Sequence, residues 1–390
     1  MIIIKNAEVY APEYLGKKFI LLAGGTIEGV YDNLAIPEDF PDIEVIDGEG
    51  KLIFPGFIDS HVHIIGGGGE GGFRTRTPEI QLSELIEGGI TTVVGCLGTD
   101  SVCRNMKTLL AKAHGLEEEG ITAYILSGSY QIPVVSITGK ASEDIMLIEK
   151  VIGLGELALA DHRSSQPTYE EFLRIVAEAR VAGLLSGKCG IVNIHIGNGR
   201  NGVKYLMKML EETEITAKQV LPTHINRSRT LLDMGAKYAA MGGIIDLTTS
   251  FDPDHLEDDE VRAGEALKLL LDYGVDIANI QFTSDGHGSL PKFNDEGEFV
   301  GLGIGSVQSL YDEVKEAILT YDVDMDQALK VVTSNVADNL KLDNKGRVHK
   351  GKDADLVIVD KNTLNIEGVI AKGKKLMMNG EILVKGTFED

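Results

Sequence analysis

Eight short apolar runs alternate with stretches of helical periodicity across the middle of this chain, and that alternation leaves few folds open. The runs cover residues 52–63, 91–97, 121–126, 156–160, 190–195, 220–224, 244–248 and 280–285. Between them, residues 169–185 place Phe172, Ile175, Val176 and Ala179 at i, i+3, i+4 and i+7, and residues 261–273 gather Leu267, Leu270 and Leu271 on one side. Eight βα units over about 250 residues is the size of a (β/α)₈ TIM barrel. An open doubly wound sheet is the alternative. Polar residues at the C-terminal ends of many different runs argue against it.

The two ends read differently. Residues 1–54 carry short β-type runs, such as Ile2 to Ile4, Phe19 to Leu22 and Glu44 to Ile46, each closed by turn residues. Residues 345–390 are similar: Leu356 to Val359 is a strand, and Lys374 to Met378 runs into Asn379-Gly380, a hairpin turn before Glu381 to Val384. Neither end has enough apolar residues to fold alone. The expectation is an α/β chain whose barrel spans 55–344, with a small β-sandwich domain built from 1–54 and 345–390.

Composition narrows the setting. With 60 acidic against 37 basic residues the net charge is −23, which disfavours nucleic acid and anionic membranes as partners and reads as solubility. Cys96, Cys103 and Cys189 form no CxxC pair, so a reduced, cytoplasmic setting is expected. No signal peptide is read at Met1 to Lys5, and no stretch approaches 18 apolar residues.

The chemistry begins at Asp59-Ser60-His61-Val62-His63. Strand side chains alternate, so His61 and His63 share a face and can bind one cation. Alone this is a weak signal. It gains weight because His195, His224 and Asp285 each end an apolar run, where barrel strands meet their active-site loops. Imidazole and carboxylate ligands suit Zn²⁺, and also Co²⁺, Mn²⁺ or Fe²⁺. Two cations close together need a bridging anion. Glu156, heading the run to Ala160, is the best candidate; its bland reading is a capping or surface carboxylate beside Gly155. Gly66 to Gly69 lacks the Lys-Ser/Thr of a P-loop and reads as flexible backbone that approaches substrate closely. His114 and His255 read as solvated, and His287 as an accessory polar residue.

Several segments together resemble the isoaspartyl dipeptidases of the amidohydrolase superfamily. They are the HxH with Gly66-Gly67-Gly68-Gly69-Glu70 and Arg74 to Pro78, Leu97-Gly98-Thr99-Asp100, Asp161-His162-Arg163-Ser164, Pro222 to Arg227, and Ser284-Asp285-Gly286 with Ser289. Asp353 to Leu356 and Lys385 to Glu389 agree too, so the similarity runs over nearly the whole chain. HxH marks only the superfamily, whereas the Gly₄-Glu and DHRS segments are specific to this family.

The resemblance implies roles. His61, His63 and Asp285 would hold the more buried metal, and His195 and His224 the second. Glu70 would pair with a substrate ammonium beside Ser289. Arg163 and Arg227 would bind substrate carboxylates with Thr99 assisting, and Tyr130 would polarise the scissile carbonyl. Two metals would lower the pKa of a shared water from about 16 toward ~7. The resulting hydroxide would attack the amide, and Asp285 would pass its proton to the departing amine. The substrate would be a small zwitterionic dipeptide, and the family suggests a homo-oligomer, an octamer among the possibilities. One departure stands out. The family bridges its metals with a carboxylated lysine five residues before the DHR aspartate, and here that position is Glu156. A different amidohydrolase (deacetylase, cyclic-imide hydrolase or deaminase) and a non-catalytic scaffold on the same barrel are the rival readings.

Overall fold

Short apolar runs broken by glycine make the first elements of the chain strands. In the computed structural model of the protein, which describes residues 1–36, 42–251, 259–293 and 299–389, they give β1 (Ile2–Tyr10), β2 (Tyr14–Ala23), β3 (Thr26–Tyr31), β4 (Glu44–Asp47) and β5 (Lys51–Pro55). Gly56 then turns the chain. Its N–H donates to Asp355 O at 2.8 Å, and a Cβ there would lie 2.2 Å from Thr91 Oγ1. The single strand expected over 52–63 is therefore two, because the chain crosses from one sheet to another at a position only glycine fits.

The barrel strands follow as β6 (Phe57–Val62), β7 (Ile90–Gly95), β8 (Thr122–Ser127), β9 (Val151–Leu159), β10 (Ile191–Ile196), β11 (Val220–Thr223), β12 (Ile245–Thr248) and β13 (Ile280–Thr283). β6 to β11 pair side by side in parallel, and β12 pairs with β13 in parallel. A parallel bridge from Val62 to Gly286 and the packing of β11 on β12 bring the eight strands round into a TIM barrel. Every residue of β7, β9 and β10 is buried, since inward side chains fill the barrel and outward ones meet helices. The run expected to start at Glu156 in fact starts at Val151. Gly153 and Gly155 look like breaks in the sequence but mark close approach of β10: a Cβ on Gly153 would sit 2.4 Å from Ile191 O.

Helices α1 (Leu82–Glu87), α2 (Met106–Glu119), α3 (Ala141–Leu147), α4 (Tyr169–Ser186), α5 (Lys204–Glu212), α6 (Arg229–Ala240) and α7 (Ala263–Asp272) lie between the strands. The expected helix over 169–185 is α4. Thr168 caps it in a reciprocal capping box with Glu171, and Phe172, Val176 and Ala179 form its buried face. No helix among the described residues is long and apolar enough to cross a membrane.

Within the barrel, the inward positions alternate along each strand. Ile58, Val94, Leu126, Ile152, Ile191 and Leu221 belong to one apolar cluster, which also takes in Cys96. Asp246, Thr223, Thr283 and Gln281 form a hydrogen-bonded group on β11 to β13.

After the barrel, β14 (Ser289–Phe293) and β15 (Phe299–Ile304) form an antiparallel hairpin. β16 (Leu356–Asp360), β17 (Ile366–Ala371), β18 (Lys374–Met378) and β19 (Glu381–Ile382) return to the N-terminal strands. Both termini share one nine-stranded sheet ordered β19-β18-β17-β16-β5-β1-β2-β3, with β4 on β1. The hairpin read at Asn379-Gly380 forms: Met378 pairs with Glu381, and both turn residues have positive φ, 53° and 77°.

Candidate active site

Strand ends supply the polar side chains, and two of them use strained backbone to do so. His61 lies within β6 and His63 follows it; His195 is on β10; His224 and Asp285 follow β11 and β13 with φ of 64° and 52°. That left-handed region is costly for a residue with a Cβ, and such residues cluster at functional sites.

Glu156 stands between two histidine pairs and gives one oxygen to each. Its Oε2 is 3.3 Å from His61 Nε2 and 3.9 Å from His63 Nε2. Its Oε1 is 2.8 Å from His195 Nδ1 and 3.3 Å from His224 Nε2. Asp285 Oδ1 adds to the first pair, 3.1 Å from His63 Nε2 and 3.7 Å from His61 Nε2. The surface or capping reading of Glu156 is excluded, because the side chain is 1% exposed. Burial alone would raise its pKa, but the charges of His61 and His195 and hydrogen bonds with His195 and His224 hold it well below the ordinary value. Asp285 behaves alike: burial is outweighed by the hydrogen bond and charge of His63, which bring it to about 2. Burial, with the nearby Arg227 charge, lowers His224 to about 3 and keeps the imidazole neutral, the form that ligates metal.

These residues fit divalent cations. Neither nitrogen of His61 nor Glu156 Oε2 makes a hydrogen bond among the described residues, although all are buried. Leaving such groups unpaired costs about 1–3 kcal/mol each, and a cation satisfies all of them. Two donor groups meet this description: His61, His63, Cys96 and Glu156, and then Glu156, His195 and His224. The outer nitrogens of the second pair are already tied. His195 Nε2 is 3.0 Å from Asp161 Oδ2, and His224 Nδ1 is 2.6 Å from Thr248 Oγ1. Partners of this kind orient a ligating imidazole.

Over the histidines opens a cavity of about 850 Å³ lined by ten of the twelve residues singled out in the sequence, all except His61 and Glu156 beneath it. Glu70 accepts from Thr99 Oγ1 at 2.8 Å and Ser289 Oγ at 3.3 Å and pairs with Arg163 Nη1 at 3.3 Å. Burial opposes its ionisation, but the Thr99 hydrogen bond and the Arg163 charge pull its pKa down. Arg227 Nη1 donates to Ile196 O at 3.1 Å and lies 3.3 Å from His195 Nε2. Tyr130 Oη is 2.8 Å from His195 Nδ1. Burial, helped by the Glu156 charge, raises its pKa well above 10, so the phenol stays an O–H donor.

Three partners escaped the sequence reading. Asp161 accepts from Arg163 Nε at 3.0 Å and Nη2 at 2.9 Å, which aims the guanidinium across the cavity. It stands inside the DHRS segment but served there only as a landmark. Thr248 and Cys96 are the others. Buried Arg104 braces the Gly66 to Gly69 loop by donating to Ile65 O, to Gly67 O at 3.1 Å and to Thr77 O at 2.8 Å, and Gly68 of that loop lines the cavity. His287 is buried, 2.9 Å from Pro78 O and 3.1 Å from Glu84 Oε1. His114 is exposed on α2, and His255 lies outside the described residues.

Residues 52–376 match the profile of the amidohydrolase family. A solved beta-aspartyl dipeptidase from Fervidobacterium islandicum AW-1, in complex with beta-Asp-Leu dipeptide, is 47% identical over 98% of this chain and 97% of its own, with a TM-score of 0.91. A second structure of that organism's enzyme is 44% identical, covering 98% of each chain, with a TM-score of 0.89. A dihydroorotase from Listeria welshimeri is 24% identical over 98% of this chain and 95% of its own.

Proposed function

Because the chain belongs to the amidohydrolase family, and within it groups with the beta-aspartyl dipeptidases, we propose that it hydrolyses isoaspartyl dipeptides at a centre of two divalent cations. It is a hydrolase of amide bonds. The observation that carries the substrate reading is a charge set in the cavity wall above the ligand cluster: the guanidiniums Arg163 and Arg227 and the carboxylate Glu70, in a lining that also holds Arg200, Asp161 and Glu260. A β-aspartyl dipeptide brings two carboxylates and one ammonium, the complementary set. Its β-linkage puts the α-ammonium and α-carboxylate on the same side of the scissile bond, within reach of Glu70, Thr99 and an arginine.

His61, His63 and Asp285 would hold one cation, His195 and His224 the other, and Glu156 would bridge them. Zn²⁺ leads Co²⁺, Mn²⁺ and Fe²⁺ for such ligands. Bound there, the cations supply an acidified water as nucleophile and a Lewis acid for the amide oxygen. The chain's own groups do the rest. Asp285 is ionised at neutral pH, so it can accept the water proton and deliver it to the departing amine. Tyr130 keeps its proton and donates to the carbonyl oxygen as negative charge develops there. Glu70, Arg163, Arg227 and Ser289 fix both ends of the dipeptide, converting binding into orientation.

We read residues 1–54 with 345–390 as a small β-sandwich domain beside the barrel (55–344); their apolar cluster around Ile4, Ile20 and Ile370 supports that reading. Exposed Val181, Leu184 and Leu185 on α4, with Leu147 on α3, favour a homo-oligomer, and three free cysteines suit a cytoplasmic setting. The deciding experiment is a panel of β-Asp-Leu, α-Asp-Leu, N-acetyl amino acids and hydantoins. β-Asp-Leu should be cleaved far faster than all others. Equal rates on the α-isomer refute the assignment.

A further inference from the structure

Three neighbouring barrel strands each deliver one arginine to the cavity wall, and a β-aspartyl dipeptide accounts for only two of them. β9, β10 and β11 pair in that order, and Arg163, Arg200 and Arg227 sit on the segments that follow them. Arg163 and Arg227 reach the ligand cluster itself: Arg163 Nη2 is 3.2 Å and Arg227 Nη1 3.3 Å from one atom, His195 Nε2. Both are also tied down, Arg163 by Asp161 and Glu70, and Arg227 by Ile196 O. Arg200 is different. It lines the cavity from an exposed position beyond the end of β10, and its side chain makes no hydrogen bond or ion pair among the described residues. Glu260, on the same wall, does not pair with it. Its main chain is nevertheless held. Gly197 N–H donates to Leu159 O at 3.1 Å and Gly199 N–H to Ala160 O at 2.7 Å, which fastens the β10 loop to the end of β9 beside Arg163. A guanidinium so placed can take an anion without first breaking an internal pair, and its planar fork suits a carboxylate.

We propose that Arg200 is a specificity-determining residue that binds a third substrate carboxylate, carried by the side chain of the leaving residue. The proposal rests on the isoaspartyl dipeptidase reading above and adds a substrate class to it: β-aspartyl dipeptides whose second residue is acidic. Every β-aspartyl dipeptide has two carboxylates, and Arg163 and Arg227 suffice for them. The aspartyl residue has no further carboxyl to offer, since one forms the scissile amide and the other is its α-carboxylate. A third can come only from the leaving side chain. The protein's net charge of −23 works against a more acidic peptide, so a preference for one must arise locally.

The test compares β-Asp-Glu with β-Asp-Gln on the intact, metal-loaded protein. The two peptides differ by one charge at nearly constant shape, so the ratio of their kcat/KM values isolates that charge. In wild type at low ionic strength β-Asp-Glu should lead by about two- to fivefold, the range of an exposed ion pair, and through KM. Arg200→Gln should bring the ratio to one or below. Arg200→Glu should invert it and favour β-Asp-Lys over β-Asp-Gln. A substitution that merely disturbs the loop slows both peptides alike and leaves the ratio where it was. That result overturns the inference, as does a wild-type ratio of one or below; Arg200 is then a solvated charge at the cavity mouth, and the isoaspartyl reading stands. Cleavage of no β-aspartyl dipeptide, β-Asp-Leu included, overturns both.

Discussion

Asp246, on β12 inside the barrel, is a carboxylate whose ionisation opposes folding. The Thr223 and Thr283 hydroxyls donate to its Oδ2 at 2.5 and 2.6 Å, and Gln281 Nε2 reaches Oδ1 at 3.3 Å. Burial outweighs these bonds and pushes its pKa up to about 7. An unfolded aspartate titrates near ~3.9. From about pH 4 to 7, then, the native state holds a proton that the unfolded state has released. The stability tied to this proton is full below about pH 4 and is lost as the pH rises through about 7. About three pKa units at ~1.4 kcal/mol each amount to roughly 4 kcal/mol. Asp246→Asn removes the titration and keeps the shape. Its unfolding free energy relative to wild type should therefore rise by ~1.4 kcal/mol per pH unit up to about pH 7 and be level by about pH 8. Denaturant unfolding of metal-free protein across that range measures this. Metal-free protein is needed because cations nearby would favour the carboxylate and shrink the effect. A difference that stays constant with pH refutes the argument, since Asp246 would then be ionised throughout.

Exhaustive chelation should abolish hydrolysis, and Zn²⁺, Co²⁺ or Mn²⁺ should restore it whether or not bicarbonate is present, because Glu156 needs no carboxylation; a bicarbonate requirement measured during reconstitution would assign the bridge to another group. Arg227→Met should lower kcat/KM for β-Asp-Leu by about 2–5 kcal/mol if the guanidinium pairs with a buried substrate carboxylate, and steady-state kinetics within about twofold of wild type would remove it from the pocket.

The cluster of histidines and carboxylates at the strand ends was legible because strand alternation is a pattern that survives in one dimension. His61 and His63 follow strand alternation, and His195, His224 and Asp285 each close an apolar run. What pairs with them was not legible. Thr248 contacts His224 from the end of β12 and Asp161 contacts His195 from the loop after β9, and no spacing in the sequence links them. Cys96 could have been found, since the alternation that aligns His61 with His63 also aligns it with Val94. Read alone, a single cysteine points only to redox setting. Glu156 was named, but its strand was cut short because glycine weakens a strand signal whether it marks a break or a close approach.

That close approach decides whether a glutamate can bridge at all. Its carboxylate sits several bonds nearer the backbone than that of a carboxylated lysine, so β9 must come to the histidines. Gly155 permits this: its φ is 141°, and a Cβ there would lie 2.9 Å from both Cβ and O of Asn193. Asn193 is two residues before His195 on β10, so the contact that forbids a side chain at 155 also sets Glu156 Oε1 2.8 Å from His195 Nδ1. Gly155→Ala must push β9 off β10, at a cost of about 1–3 kcal/mol from overpacking. The displacement falls on Glu156 and opens its distance to His195 first. The variant should keep its circular dichroism yet lose one equivalent of metal per chain, measured after equilibrium dialysis. Gly115→Ala is the control. On α2 its Cβ would meet nothing within 4 Å, so both equivalents should stay and stability should rise by about 0.5–1 kcal/mol. If Gly155→Ala also retains two equivalents, strand proximity is not what lets Glu156 reach both histidine pairs.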